Sequence, residues 1–194
     1  MSRLGIPFMG TVYHGSNQVF TAFEQSKARI KDDFFGGGVG YFTDSHPIGI
    51  QYAKSMSKGT GAPVLYTCTV NIKNMFDTET SFDGARVVAL LPADVEGFAR
   101  GSGLLKYGSD RLKVMVDLKS GKTSMLGKEI FKGLSGGMTS TAKARTHLRQ
   151  LGFDGLRYLG GTITGAVKHW VYLPYSTSAI KIEDAALVDF IKKS

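Results

Sequence analysis

The segment from 62 to 72, "APVLYTCTVNI", alternates residue by residue in a way that suits only an extended chain. One side carries Leu65, Thr67 and Thr69, and the other side carries Tyr66, Cys68 and Val70. Successive side chains of a strand point to opposite faces of its sheet. The segment therefore predicts a β-strand, and a fold for the chain must place a sheet around it.

Shorter strands and several helices are predicted around this strand. Strands are expected at "TVYHG", ending at Gly15, and at "FDGLRYL", "KHWVYLP" and "SAIKI" near the C-terminus. Helices are expected at "DSHPIGIQYAKSM", "PADVEGFARG", "STAKARTHLRQLG", which Gly152 ends, and "EDAALVDFIKK". The segment "SDRLKVMVDLKSGKT" is open between a helix and a hairpin, and its pattern favours the helix. In the first helix, Asp44 or Ser45 can cap the N-terminus, and Ile48, Tyr52 and Met56 share one face. Short strands mixed with helices in this manner predict an α+β fold.

Composition narrows the possible classes of protein. No apolar run approaches the roughly 18 residues that a membrane span requires. The single cysteine, Cys68, excludes an intramolecular disulfide and favours a reducing compartment such as the cytoplasm. The four histidines are scattered without metal-ligand spacing, so no metal site is predicted. The net charge of +8 favours anionic partners such as nucleic acid, nucleotides or acidic proteins.

Three groups of motifs stand out at the predicted strand ends. "YHGS" places His14, Gly15 and Ser16 at the end of the first strand, and "GVGYFTDS" places Tyr41 eleven positions before Tyr52. The C-terminal part carries "GFDGLRYLGG" and "AIKI". Each motif alone is weak, because the glycine run lacks the context of a Rossmann site or a P-loop. Their order along the chain is the informative signal.

In that order, "YHGS", "FEQSK", "GVGYFTDS", "QYA", "VLYTCTV", "GFDGLRYLGG" and "AIKI" resemble ADP-ribosyltransferases of the histidine–tyrosine–glutamate type. This superfamily includes diphtheria toxin and the poly(ADP-ribose) polymerases, and the likeness is closest to the ADP-ribosyltransferase domains of phage polyvalent proteins. The resemblance covers nearly the whole chain and is weakest over 78–130. It implies one domain over 1–194, with 78–138 as an elaboration or insertion, built of split antiparallel β-sheets with peripheral helices.

The resemblance also implies an activity. Such an enzyme uses NAD as its substrate, cleaves the nicotinamide–ribose bond and transfers ADP-ribose to a macromolecular acceptor. A phage or prophage origin implies a toxin-like effector in the cytoplasm of a bacterial host. The acceptor would be a host protein or nucleic acid, and neither a metal nor a membrane would take part.

The resemblance assigns the nicotinamide end of the substrate to three residues. Tyr41 stacks on the nicotinamide ring and Tyr52 flanks it. Gly15 offers its backbone N–H and C=O to the carboxamide, where a Cβ would obstruct close approach. An aromatic contact of this kind contributes about 0.5–1.5 kcal/mol.

The other end of the substrate is assigned to residues from two segments. His14 and Ser16 would bind the adenosine side. Lys27 and Arg29, in the segment after "FEQS", would meet the diphosphate.

The third residue of the family is a glutamate, and this sequence lacks it. The matching position falls at Lys168 or His169 in "AVKHWVYL". A carboxylate suits the role because positive charge develops on the sugar during bond cleavage. A neutral His169 can still hydrogen-bond the ribose, so Tyr41 and His169 are the predicted catalytic residues.

Three explanations of this departure remain open from the sequence. The enzyme transfers a single ADP-ribose with a non-acidic third residue, or a carboxylate from elsewhere, such as Asp154 or Glu183, replaces the glutamate. In the third explanation, the domain binds NAD without chemistry. Arg157 is open between a surface ion pair and a partner of the site, and Trp170 and Tyr172 are open between core and site wall.

Two functions of other classes compete with the transferase. One is an inactive NAD- or ADP-ribose-binding module, which the missing glutamate suggests. The other is a basic nucleic-acid-binding domain, which the net charge suggests. RNA 2′-phosphotransferases share a related fold, but they carry a histidine where Tyr41 stands, which disfavours that activity.

Overall fold

The structure is a computed structural model that describes residues 4–24, 39–57, 61–161 and 167–188. Eight strands lie within these residues: β1 (Ile6–Ser16), β2 (Phe42–Thr43), β3 (Val64–Asp77), β4 (Ser81–Phe82), β5 (Met125–Leu126), β6 (Gly155–Gly160), β7 (His169–Pro174) and β8 (Ile180–Leu187). Six α-helices accompany them: α1 (His46–Met56), α2 (Gly84–Leu90), α3 (Val95–Ser102), α4 (Arg111–Lys119), α5 (Gly127–Leu134) and α6 (Thr141–Gln150). The α+β class predicted from the sequence is confirmed.

The strand pairings of the main sheet close on themselves. The sheet runs in the order β1-β2-β7-β6-β3-β8, and β1 also pairs with β3. The length of β3 makes this possible. β3 pairs with β1 along one edge, and along its other edge residues 64–70 pair with β8 and residues 75–77 pair with β6. The β3–β6 ladder is parallel, so the prediction of purely antiparallel pairing is wrong there. Strand β6 follows a helix rather than a tight hairpin, which allows it to enter parallel to β3.

The alternation that predicted β3 is confirmed by its burial. Tyr66, Cys68 and Val70 are completely buried, whereas Thr67 and Thr69 on the other side are partly exposed. β1 runs antiparallel to β3 over most of its length, with His14 opposite Tyr66. β1 is longer than its predicted "TVYHG" core, and it continues through Gly15 to Ser16.

Among the described residues, two apolar clusters form the core. One gathers the helices against β6 and β7, and it includes Phe98, Phe131, Leu148 and Leu173. The other lies among β1, β2, β3 and β7, and it includes Val12, Phe42, Tyr66 and Tyr172.

Alternation along β7 sends Val171 and Leu173 to the first cluster and Tyr172 to the second. Val171 and Leu173 are therefore core positions, and Tyr172, which the sequence left open between core and site wall, also belongs to the core. Trp170 is only partly buried against the second cluster.

Helix α1 buries a different face from the predicted one. Ile48 is buried as expected, but the other buried positions are Gly49 and Ala53, while Tyr52 and Met56 are 49% and 40% exposed. The helix packs close to β1, and small residues on the contact face permit that approach. Its N-cap is Ser45, whose side chain makes no capping hydrogen bond. Asp44, the other predicted N-cap, instead accepts the backbone N–H of Trp170 at 3.0 Å.

Of the four remaining helix predictions, three are confirmed and one is wrong. α3, α4 and α6 confirm three of them, and Gly152, with φ of +86°, follows the end of α6 as predicted. The helix predicted at "EDAALVDFIKK" is wrong over 183–187, which belong to β8. Pairing with β3, from Val64 opposite Leu187 onward, overrides the local helical pattern there. The rest of that segment lies mostly outside the described residues.

Candidate functional site

A cavity of about 650 Å³ opens where β1 and β2 separate. The two strands pair at a single position, Tyr13 opposite Thr43. Beyond it, the cavity is lined by the end of β1, the segment 17–24, the segment 39–43, and single residues of β6 and β7, with α1 contributing Tyr52 and Met56. A cavity of this size is in the range of about 300–1,000 Å³ typical of small-molecule sites.

The cavity collects most of the residues predicted for the site. His14, Gly15, Ser16, Tyr41 and Tyr52 all line it. Arg29 and Lys27, the predicted diphosphate ligands, lie outside the described residues. Residues that are far apart in the sequence therefore meet at one opening in the sheet.

His14 bridges the gap between the separating strands. Its Nδ1 lies 2.8 Å from the backbone oxygen of Tyr41. A carbonyl oxygen can only accept, so Nδ1 carries the proton and Nε2 carries the lone pair of the neutral ring. Burial lowers the pKa of His14 from its ordinary value of 6.5, against the opposing effect of the Tyr41 hydrogen bond. His14 is therefore predominantly neutral at pH 7, as a hydrogen-bonding ligand for an uncharged group should be.

Gly15 is required by the packing of the protein itself. A Cβ at this position would lie 2.3 Å from the backbone nitrogen of Ala53 and 2.5 Å from the oxygen of Gly49. The side that the sequence prediction reserved for the substrate is thus occupied by helix α1. The backbone of Gly15 still borders the cavity, because the β1–β2 ladder ends at Tyr13. Beside it, the Ser16 hydroxyl accepts the backbone N–H of Gln18 at 3.1 Å.

Tyr41 and Tyr52 belong to the same cavity wall but differ in environment. Tyr41 is partly buried and packs against the first core cluster. Tyr52 projects from α1, is half-exposed, and meets the His169 ring edge-on at a centroid distance of 6.4 Å. The two predicted nicotinamide contacts thus comprise one anchored ring and one that solvent reaches.

His169 adjoins the cavity rather than lining it. It lies on the same face of β7 as Val171, which does line the cavity. The ring is 6% exposed, and its Nδ1 donates to the Val167 carbonyl at 2.8 Å. Its Nε2 is buried and has no hydrogen-bond partner among the described residues. The neighbouring Lys168 is exposed, so His169 is the buried residue of the pair.

Gly160 makes room for the His169 ring. The two residues are opposite each other in the β6–β7 ladder, and a Cβ on Gly160 would lie 2.6 Å from Nε2 of His169. The "LGG" motif that the sequence analysis noted thus has a structural use next to the site. His169 keeps its position only because its cross-strand neighbour has no side chain.

Aromatic residues that the sequence analysis did not assign to the site form one wall of the cavity. The His14 ring lies 5.1 Å from the Phe23 ring and 5.5 Å from the Phe42 ring, and Phe20 stacks on Tyr66 at 4.1 Å. The backbone N–H of Phe20 donates to the Tyr66 hydroxyl at 2.6 Å. The sequence feature that could have indicated this wall is the pair Phe20 and Phe23, which lie in a segment with no strand or helix pattern.

The charged groups of the site are few. None of the described residues that line the cavity is a lysine or arginine, and the one carboxylate among them is Glu24. The two carboxylates that the sequence suggested lie elsewhere. Asp154 accepts the backbone N–H groups of Lys73 and Asn74 at 2.9 and 2.8 Å, and Glu183 on β8 accepts from Thr69 and Lys181. Neither can act in the cavity from these positions.

The open question about Arg157 is answered by its contacts. Its Nη2 donates to the buried Asp77 carboxylate at 2.8 Å, and its guanidinium lies over the Trp170 ring at 4.2 Å. The next residue of β6, Tyr158, lines the cavity instead. Arg157 therefore forms a structural ion pair with Asp77, which joins β6 to β3.

Comparison with protein-family models, curated proteins and solved structures finds no match for the chain. Within the described ranges, no group of three or more His, Cys, Asp or Glu side chains is placed to hold a metal ion. No helix in that part of the chain is long and apolar enough to cross a membrane.

Proposed function

We propose that this protein is an NAD-dependent mono-ADP-ribosyltransferase, which cleaves the nicotinamide–ribose bond and transfers ADP-ribose to a macromolecular acceptor. The observation that carries the proposal is the convergence of His14, Gly15, Ser16, Tyr41 and Tyr52 on one cavity. These residues were assigned to NAD from motif order alone. Their common position at the separation of β1 and β2 supports that assignment.

The chemistry of the wall suits the two ends of NAD. Tyr41 and Tyr52 provide aromatic surface for the flat nicotinamide ring. The backbone of Gly15 borders the cavity past the last β1–β2 pair, where a carboxamide would find a donor and an acceptor. On the other side, the neutral His14 ring and the Ser16 hydroxyl are suited to the hydroxyls of a nucleoside. The diphosphate would need a cation from outside the described wall, a role assigned to Arg29 and Lys27.

His169 would orient the substrate through a hydrogen bond. With Nδ1 committed to the Val167 carbonyl, its buried Nε2 offers a lone pair to a ribose hydroxyl. A single transfer requires that the sugar be held in place, that nicotinamide leave with the electron pair of the broken bond, and that a lone pair of the acceptor form the new bond to C1′ as the acceptor loses a proton. The expected acceptor is a bacterial host protein or nucleic acid, as for a phage-encoded effector.

A binding module without catalysis is the second candidate, and the identity of the third site residue favours it. The family glutamate is replaced by an exposed Lys168 and a buried His169, and neither supplies a negative charge. Such a module would bind NAD or ADP-ribose in the same cavity.

A nucleic-acid-binding domain explains the net charge but not the cavity. The positive residues that produce the charge of +8 are absent from the described cavity wall. A nucleic-acid surface would therefore be separate from the candidate site, and a basic transferase could have both.

The test is incubation of the pure protein with labelled NAD and a bacterial lysate, following nicotinamide release and label in macromolecules together. Label that is removed by protease or by nuclease would support the transferase and identify the acceptor class. Saturable NAD binding without nicotinamide release would favour the binding module. Absence of NAD binding would contradict both.

A further inference from the structure

Exposed apolar side chains gather at the mouth of the cavity. Val19, from the segment after β1, and Met56, at the end of α1, both line the cavity, and they are 73% and 40% exposed. Tyr52, one turn before Met56, lines it too and is half-exposed. These three residues form an apolar rim, to which two separate parts of the chain contribute.

The apolar surface continues from the rim to Val167. The Tyr52 ring meets the His169 ring at 6.4 Å, and the backbone oxygen of Val167 lies 2.8 Å from Nδ1 of His169. Val167 itself is 75% exposed. Single exposed apolar residues are ordinary on a protein surface, but several of them at one opening mark a site that another molecule covers.

The proposed reaction brings a second molecule to this opening. Nicotinamide leaves with the electron pair of the broken bond between its nitrogen and ribose C1′. A lone pair of the acceptor then forms the new bond to C1′, and the acceptor loses a proton. With NAD in the cavity, the acceptor approaches C1′ from the mouth and contacts the apolar rim.

The residues of the rim favour a protein as that acceptor. Nucleic acid is bound mainly through its phosphates, by cationic side chains and hydrogen-bond donors. The aliphatic side chains of Val19 and Met56 offer it neither charge nor a flat aromatic surface for a base to stack on. At the buried centre of protein–protein interfaces, by contrast, methionine and tyrosine are enriched. The rim therefore complements an apolar side chain of a protein.

We propose that the apolar rim is the docking surface for a protein acceptor, which presents an apolar side chain next to the group that receives ADP-ribose. This inference rests on the proposed function and names the acceptor class for it. Val19 and Met56 determine acceptor specificity in this assignment, and they do not touch the reacting atoms.

The experiment makes one polar substitution at each of two rim positions and pairs each with a matched control. Val19→Ser is compared with Val116→Ser, at a valine of α4 that is 51% exposed. Met56→Ser is compared with Met9→Ser, at a methionine of β1 that is 74% exposed. Neither control position lines the cavity. Thermal melting checks that each variant folds.

Two acceptor preparations from a bacterial lysate separate the acceptor classes. One is protein freed of nucleic acid by nuclease, and the other is nucleic acid freed of protein by protease and extraction. Transfer of label from NAD is measured for each preparation at limiting acceptor concentration. NAD affinity is measured separately by calorimetry, without acceptor.

We expect the wild type to label the protein preparation and not the nucleic acid. Val19→Ser and Met56→Ser should each lower the rate of protein labelling by about 5- to 10-fold, a range typical of side chains that contribute to an interface. Their NAD affinity should stay near that of the wild type. Both control variants should label protein like the wild type.

Label in nucleic acid rather than protein would overturn this inference and leave the proposed function intact. Protein labelling by the rim variants at the wild-type rate would do the same. A loss of NAD affinity as large as the loss of labelling would assign the rim to NAD instead of the acceptor. A wild type that labels neither preparation would overturn the proposed transferase, and this inference with it.

Discussion

Tyr41 contributes a backbone carbonyl and an aromatic ring to the candidate site, and only the ring depends on its side chain. Tyr41→Ala removes the ring and keeps the carbonyl that holds His14. We expect NAD affinity to fall by about two- to tenfold, because one aromatic contact is worth about 0.5–1.5 kcal/mol. Tyr41→Phe keeps the ring and should bind nearly as well as the wild type. Calorimetric titration with NAD measures both variants, and equal affinity for wild type and Tyr41→Ala would remove Tyr41 from the site.

His14 should make the folded state sensitive to acid. Burial lowers its pKa, so the unfolded chain binds the proton more readily than the folded chain. The stabilisation due to neutral His14 is complete above the unfolded value of 6.5 and is lost as the pH falls below it toward the lower folded value.

Urea unfolding at about pH 7 and about pH 5 measures this loss. The loss for the wild type should exceed that for His14→Gln, which has no titrating group at this position. His46→Gln, at the exposed start of α1, is the control and should keep the acid sensitivity of the wild type. The same pH dependence in His14→Gln and in the wild type would assign the effect to other groups.

At the scale of secondary-structure elements, the contact between β1 and α1 depends on Gly15. A methyl group there would collide with the backbone of α1 at Gly49 and Ala53, which cannot move like a flexible side chain. We expect Gly15→Ala to lower the free energy of unfolding by about 1–3 kcal/mol, the usual cost of overpacking. It should also weaken NAD binding, because α1 carries Tyr52.

Gly10→Ala is the matched control for this prediction. Gly10 is on the same strand, but its Cβ would meet only the end of the Phe8 ring, at 3.1 Å. Chemical denaturation should show a smaller loss for Gly10→Ala than for Gly15→Ala. If the two variants were equally stable, α1 would not be in close contact with β1.

The parallel ladder between β3 and β6 depends on the ion pair of Asp77 and Arg157. Asp77 is buried and also accepts from the backbone N–H of Glu79 and the Thr80 hydroxyl, each at 2.9 Å. Removing one partner of a buried pair costs about 3–5 kcal/mol, because the other charge is left uncompensated. Denaturation of Asp77→Ala should show a loss of this size. Asp184→Ala, an exposed aspartate of β8, should unfold like the wild type, and a similarly small loss for Asp77→Ala would contradict the structural role of the pair.

At the scale of the whole molecule, the site exists because the strand pairings close on themselves. β1, β2 and β7 are successive neighbours in the sheet, so His14 on β1 and Tyr41 next to β2 meet at one opening, which Val171 of β7 also lines. The two core clusters hold the opposite faces of these strands. The cavity lies where the β1–β2 ladder stops after one pair, and its wall includes residues from both clusters.

Motif order predicted five residues that meet at the cavity, but not what each of them does. His14, Gly15, Ser16, Tyr41 and Tyr52 were identified because the ordered motifs that contain them resemble a known family, and all five line the cavity. Glu24, Phe20 and Phe23 were not, because their segment has no periodic pattern and depends on a partner surface for its position. His169 was found by alignment to a family position, but its place beside the cavity depends on Gly160 across the ladder.

The amino-acid sequence by itself determined the α+β class, the alternation of β3 and most of the helices. These features depend on local periodicity and on turn residues, which a short window contains. The residues of the candidate site were predicted instead from the order of motifs and the family resemblance that this order implies. Only the tertiary structure decided that 183–187 form a strand, that α1 buries Gly49 and Ala53 instead of Tyr52, and that Glu24 faces the cavity. Each of these outcomes depends on a partner distant in sequence, whose hydrogen bonds or packing outweigh the local preference.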